Sequence, residues 1–238
     1  LHSLFEHKGR HKINADWFDK LGIKSHLIDL PGHGSDAKKK GDIDSWVEND
    51  NAVINGFQNI QSAEKKILFG HSYGGLVATN AVLKEIVKPD YLILTAPLFE
   101  DNYPKFIRNL SGPLSKIAPN FRSFSPVTKK NISTDKSVGE DYFKDPLVFR
   151  SLTFRLGYAI TQVQDFVNEN VGNLNIPTIV LHGKEDTIVP ISGCKNISKL
   201  ENVTFVEIDN SKHEILNQDT RPFVLSEIHQ WLKENKII

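Results

Sequence analysis

Fourteen consecutive residues, Lys65-Lys66-Ile67-Leu68-Phe69-Gly70-His71-Ser72-Tyr73-Gly74-Gly75-Leu76-Val77-Ala78, leave the backbone few choices. Ile67 to Phe69 form an apolar run suited to a buried strand, and the small residues after Tyr73 open a helix. Between them, Gly70-x-Ser72-x-Gly74 predicts a turn so tight that a Cβ at either glycine would crowd the neighbouring strand or helix. Such a turn holds the serine in a strained conformation at its apex, with Oγ above the sheet. The helix that follows aims its first amides at any charge developing beside that oxygen. Glycine and serine are common in loops, so the pattern gains its meaning from the strand before it and the helix after it.

The rest of the chain repeats the strand–helix alternation on both sides of one interruption. A short helix is expected around Ala15 to Leu21, with Trp17, Phe18 and Leu21 on one face and Gly22 closing it. Ile23 to Leu30 reads as a strand, followed by the turn-rich Asp29-Leu30-Pro31-Gly32-His33-Gly34-Ser35. Asp42 or Asp44 is placed to cap a helix through Trp46, Val47, Val53, Ile54, Phe57 and Ile60. The helix after Ser72 runs to about Val87, and Tyr91 to Thr95 is a short buried strand. After residue 173 come a strand at Ile176 to Gly183, a helix from about Pro190, a strand at Val203 to Ile208 and a helix at Thr220 to Glu234. This order predicts a mostly parallel sheet with helices on both faces, an α/β architecture.

From Leu98 to about Asn173 the alternation breaks. Prolines stand at 104, 113, 119, 126 and 146 among many aromatics, helical pieces fit 103–117 and 147–170, and no buried strand is expected. Disordered linkers are poor in aromatics, so this stretch reads as a helical cap inserted in the sheet domain. The expected division is 1–97 and 174–238 for the core and 98–173 for the cap, whose aromatics Phe99, Phe106 and Phe149 are candidates for holding a substrate.

Composition excludes several classes. At 238 residues, 39% hydrophobic and 24% charged with formal net charge zero, the chain has enough apolar residues for a large core and no basic stripe for nucleic acid. No window reaches the roughly 18 apolar residues of a membrane span. A single cysteine, Cys194, excludes an internal disulfide framework and fits a reducing, cytoplasmic compartment. The histidines lack the short spacing of a metal site, so no metal is expected. The chain has no methionine and begins at Leu1, from which the natural start is expected to lie upstream.

A serine hydroxyl becomes a nucleophile when a base takes its proton and an acid fixes the tautomer of that base. Both should follow later strands, on the sheet edge that carries Ser72. Leu181-His182-Gly183-Lys184-Glu185-Asp186 offers Asp186, with Glu185 as its local rival, and Ser211-Lys212-His213-Glu214 offers His213. The order Ser72, Asp186, His213 is the one this class of sheet uses. His182 reads as a packing residue, His71 as support beside the serine, and His33 and Asp29 as loop scaffolding.

Six pieces together carry a resemblance. They are His2-x-x-x-Glu6-His7-x-Gly9-Arg10, Asp29-x-x-Gly32-His33-Gly34-Ser35, Gly70-His71-Ser72-Tyr73-Gly74-Gly75, Tyr142-x-x-Asp145-Pro146-Leu147, His182-Gly183-x-x-Asp186 and His213-Glu214-Ile215-Leu216-Asn217. The chain resembles the monoglyceride lipase and lysophospholipase group of serine α/β-hydrolases nearly end to end. The resemblance implies the α/β-hydrolase fold and hydrolysis of carboxylic esters of single-acyl-chain lipids, with Ser72 as nucleophile, His213 as base and Asp186 as its orienter. It also implies an oxyanion hole from the backbone amides of Leu4 and Tyr73, no cofactor, and membrane contact that is at most peripheral, through the cap. The family's upstream pair of strands is not in this sequence, and His2-Ser3 stands where the family has His-Gly. A positive φ at that position would strain a serine and misdirect the Leu4 amide.

Two competing readings remain. A serine aminopeptidase on the same fold would need a carboxylate for a free amine, and Glu100-Asp101 and Glu140-Asp141 are the available hooks, read as solvated surface. A non-catalytic homologue would keep the pocket without turnover. Dehalogenase and epoxide-hydrolase chemistry is disfavoured, because those reactions need a carboxylate where Ser72 stands.

Overall fold

Four strands, β1 (Ile67–His71), β2 (Tyr91–Thr95), β5 (Thr178–Gly183) and β6 (Val203–Ile208), form one parallel sheet in the order β1-β2-β5-β6. The computed structural model describes residues 1–238, the side chains of residues 105 and 107 excepted. A short antiparallel ribbon, β3 (Arg122–Phe124) with β4 (Ser151–Thr153), lies in the stretch between β2 and β5. The helices are α1 (Lys12–Lys20), α2 (Val47–Gln58), α3 (Tyr73–Leu83), α4 (Lys105–Ile117), α5 (Lys136–Lys144), α6 (Phe154–Asn170) and α7 (Arg221–Glu234).

The two-residue period of the strands sorts the core into two layers. Ile93, Ile179 and Leu181 face one way and pack with Phe18 of α1 and Val224, Ile228 and Trp231 of α7. Leu68, Leu92, Leu94 and Val180 face the other way and pack with Leu76, Val77 and Ala81 of α3 and Leu156, Val163 and Val167 of α6. Each such side chain contributes about 1.5–3 kcal/mol when fully buried. Helix α3 is buried from Tyr73 through Ala81, which accounts for its lack of a polar face. Helix α6, although it lies within the interrupted stretch 98–173, is built into the main core.

Four expectations are corrected. Ile23–Leu30 runs extended but joins no ladder; Leu1 lies beside β1 instead, its carbonyl accepting from His71 N at 3.1 Å. Neither Asp42 nor Asp44 caps α2, whose N-cap is Trp46. Asp42 is drawn away by Thr153 (2.7 Å) and Arg155 (2.7 Å), while Glu48 Oε1 reaches back to the amides of Asp44 and Ser45. The segment after Pro190 forms two short 3₁₀ turns, Ile191–Cys194 and Ile197–Lys199, where a helix was expected. The interrupted stretch contains the β3–β4 ribbon, and Leu152 and Thr153 on it are buried.

Candidate active site

Strand β1 ends in the turn the glycines predict. Ser72 has φ 52° and ψ −116°, a conformation that costs a non-glycine residue about 1–3 kcal/mol. Its backbone is held on both sides: Ser72 N donates to Thr95 O at 2.9 Å, and Ser72 O accepts from Leu76 N at 3.1 Å and Leu98 N at 3.0 Å. The neighbourhood tolerates no larger residue, since a Cβ on Gly74 would sit 2.5 Å from Leu1 O and one on Gly70 would sit 2.4 Å from Gly74 O. The Tyr73 amide is the first of α3 and has no intrahelical acceptor.

The other two residues come from the loops after β5 and β6. His213 Nδ1 donates to Asp186 Oδ2 at 2.7 Å, and the amides of Ile188 and Val189 both donate to Asp186 Oδ1 at 2.9 Å. Burial opposes ionisation of Asp186, but His213 and His182 overcome it and hold the carboxyl below its usual range. Burial likewise opposes a charge on His213, and the Asp186 carboxylate outweighs it, raising the imidazole above its usual value. Glu185 is exposed and meets neither group, so Asp186 is the acid that reaches His213.

Ser72, His213 and Leu4 line one cavity of about 280 Å³. Its wall is largely apolar, with Leu98, Leu114, Val127, Leu152, Tyr158 and Ile160 among the lining residues. Phe99, Phe106 and Phe149 do not line it. Phe99, directly after β2, is 1% exposed and packed in the core; Phe106 is 64% exposed on α4; Phe149 packs edge-on against Phe5 at 5.5 Å. Asp101 is also corrected: it is not solvated surface but lines the cavity, paired with Arg108 at 3.0 Å.

Ser3 keeps a negative φ, and the left-handed residue of this loop is Phe5, with φ 72°. Ser3 N donates to Glu6 Oε1 at 2.7 Å, and His11 Nε2 lies 2.8 Å from the same oxygen. Arg10 then bridges Glu6 (2.8 Å) and Glu214 (3.2 Å), linking the Leu4 loop to the residue after His213. Burial disfavours both carboxylates, yet their cationic and histidine neighbours hold Glu6 well below its usual range and Glu214 at about 2. In the sequence Glu6, Arg10 and Glu214 stand only within the pieces that carry the resemblance, and nothing local pairs them. His71 donates or accepts through Nδ1 at 3.0 Å from Thr95, as expected of a support residue. His33 Nδ1 donates to Pro31 O at 2.8 Å and Asp29 accepts from Lys8 N at 2.7 Å, both within the loops. Among the described residues no cluster of three or more His, Cys, Asp or Glu could hold a metal ion.

A parallel sheet with a strained serine between β1 and α3, and an acid–histidine pair after two later strands, defines an α/β-hydrolase. Residues 1–220 match the family described as Hydrolase_4: Serine aminopeptidase, S33, and the chain belongs to that family. It is 24% identical over 243 residues to the monoacylglycerol lipase of Mycolicibacterium smegmatis, covering 97% of this chain and 85% of that protein. It is 26% identical to the monoglyceride lipase homolog of Monkeypox virus, covering 97% and 87%. The crystal structure of Paleococcus ferrophilus monoacylglycerol lipase superposes with a TM-score of 0.89 at 24% identity, over 98% of this chain and 92% of that one.

Proposed function

We propose that this protein is a serine hydrolase of single-acyl-chain lipids, of the monoacylglycerol or lysophospholipid type, working through an acyl-Ser72 intermediate. The enzyme is a carboxylic ester hydrolase. His213 takes the Ser72 proton as Oγ attacks the ester carbonyl, and Asp186 holds the Nδ1–H tautomer that leaves Nε2 free to accept it. The tetrahedral oxyanion is received by the amides of Tyr73 and Leu4. On collapse the alcohol leaves with the proton from His213; water then attacks the acyl-enzyme and gives a proton to His213, which returns it to Ser72 Oγ as the fatty acid is released. The single observation that carries this reading is the 2.7 Å Asp186–His213 pair on the same apolar cavity as a strained Ser72.

The cavity wall supplies the case for a lipid. Residues 98–173 act as a cap that contributes Leu114, Val127, Leu152 and Tyr158 to it. The same segment exposes Phe106, Leu110, Ile117, Phe121 and Phe124, a surface suited to peripheral membrane contact. Among the described residues no helix is long and apolar enough to cross a membrane. The lone, buried Cys194 fits a reducing compartment.

The family description favours an aminopeptidase as the second reading. The cavity carboxylates speak against it, because Asp101 is paired with Arg108 and Glu214 with Arg10, leaving neither free for an amine. A panel of nitrophenyl esters, monoacylglycerols and aminoacyl amides tests the two. Each buried methylene is worth up to about 0.8 kcal/mol, so kcat/KM should climb by up to about fourfold per carbon until the cavity is full. Faster turnover of aminoacyl amides would overturn the ester reading. A fluorophosphonate should label Ser72, and labelling that persists in Ser72→Ala would refute the nucleophile. No turnover or labelling of a folded wild type would leave a non-catalytic homologue.

A further inference from the structure

Asp186 is approached by a second imidazole. His182, the penultimate residue of β5, is fully buried, and its Nε2 lies 3.0 Å from Val189 O and 3.5 Å from Asp186 Oδ2. Both are acceptors at neutral pH, so Nε2 must carry the hydrogen. On the other side of the ring, Cys194 Sγ is 3.4 Å from Nδ1, where the thiol donates to the ring's remaining lone pair. The result is a relay of contacts, Cys194 to His182 to Asp186 to His213, reaching from the 3₁₀ turn after Pro190 to the cavity.

We propose that His182 is a positioning residue for the hydrolytic reaction, sharing the Asp186 carboxylate with His213 and thereby setting the basicity of His213. The proposal rests on the assignment of Asp186 and His213 above. Two consequences follow from the geometry. His182 grips Val189 O while Val189 N grips Asp186 Oδ1, so the ring ties down both ends of the acid's loop. A donor on Asp186 Oδ2 also draws charge away from the His213 side of that oxygen. The other groups facing His213 are Glu214 from its own loop and His71 from β1, at 5.1 Å between ring centroids. His182 itself faces Asp186 and Cys194.

The test compares His182→Leu and His182→Gln with the wild type in kcat/KM against pH on a short nitrophenyl ester. Leucine removes the donor, so the acid limb should move up, with kcat/KM falling several-fold at pH 6 and staying within about twofold at pH 9. Glutamine can restore an N–H, and its limb should return part of the way. A fall of equal size at all pH values in both variants would reduce His182 to a packing residue and overturn the proposal. Because a leucine variant could fail to fold, ¹⁵N NMR of the wild-type ring provides an independent reading. A protonated Nε2 is expected, and an Nδ1–H tautomer with bare Nε2 would refute the arrangement. If Asp186→Asn retains full activity, the triad assignment fails; if it is inactive while the His182 profiles match wild type, only this inference fails.

Discussion

Replacing Asp186 by asparagine isolates one atom. In the protein, Oδ1 accepts from the amides of Ile188 and Val189, and Oδ2 accepts from His213 Nδ1. An asparagine at this position has one acceptor atom and one donor group for those two sites. The two backbone amides require the acceptor, since leaving buried N–H groups unpaired costs about 1–3 kcal/mol each. The carboxamide NH₂ is therefore turned toward His213, whose Nδ1 must become the acceptor and whose Nε2 must take the hydrogen. That tautomer cannot accept the Ser72 proton. The expected loss is about 10⁴-fold in kcat, equivalent to about 5.4 kcal/mol of transition-state stabilisation, with little change in KM. The assay is steady-state hydrolysis of a nitrophenyl ester beside thermal unfolding of the same preparations, because the isosteric change should leave the fold intact. A variant that keeps more than a tenth of wild-type kcat would refute the tautomer argument, and a larger loss in Glu185→Gln would refute the choice of acid.

The remaining predictions concern proton affinity, the Leu4 loop and the turn. Asp186 raises His213 above its ordinary value near 6.5, so the acid limb of kcat/KM should lie above pH 6.5; a limb at or below 6 would show that Asp186 does not govern it. In stability the same shift acts in the opposite direction: the charged His213 favours the folded state at low pH and its contribution is lost as pH rises through the folded value, whereas the depressed Asp186 contributes above about pH 3.9 and is lost on acidification. Both trends are readable as Tm against pH in wild type and His213→Gln. Ser3 keeps a negative φ, so Ser3→Gly should leave kcat within about twofold and lower stability by about 0.4–1 kcal/mol; a tenfold gain in kcat would mean that serine misdirects the Leu4 amide. Gly74→Ala places a Cβ 2.5 Å from Leu1 O, and overpacking of this kind costs about 1–3 kcal/mol, or about 2–4 °C of Tm per kcal/mol. An alanine variant with unchanged Tm would show that the turn has slack.

What the sequence by itself determined were features decided within a few residues. The turn at Ser72 was legible because glycine spacing and the steric limits of a Cβ act locally. The strands β1, β2, β5 and β6 were legible because each is a short apolar run bounded by polar turns. Strand order then puts Asp186 and His213 on the edge that carries Ser72, since all four strands are parallel. Choosing Asp186 over Glu185 was within reach for the same reason, one residue being aligned and its neighbour turned to solvent. Tertiary structure alone decided which side chains meet across long separations. Phe99, Phe106 and Phe149 are aromatic in any reading, but only packing shows that one is core, one is exposed and one packs edge-on against Phe5, while the cavity belongs to others. Ile23–Leu30 has the composition of a strand, yet a strand exists only through a hydrogen-bonded neighbour, which composition does not supply; among the described residues this segment joins no ladder. Arg10 could not be assigned to Glu214, 204 residues away, nor Asp101 to Arg108 within the cavity wall, because a charge in a sequence does not name its partner. The pairing of His182 with Asp186 was hidden differently: the two are four residues apart, but a strand end and a turn, not a helix, bring them together, and no periodicity in the sequence records that bend.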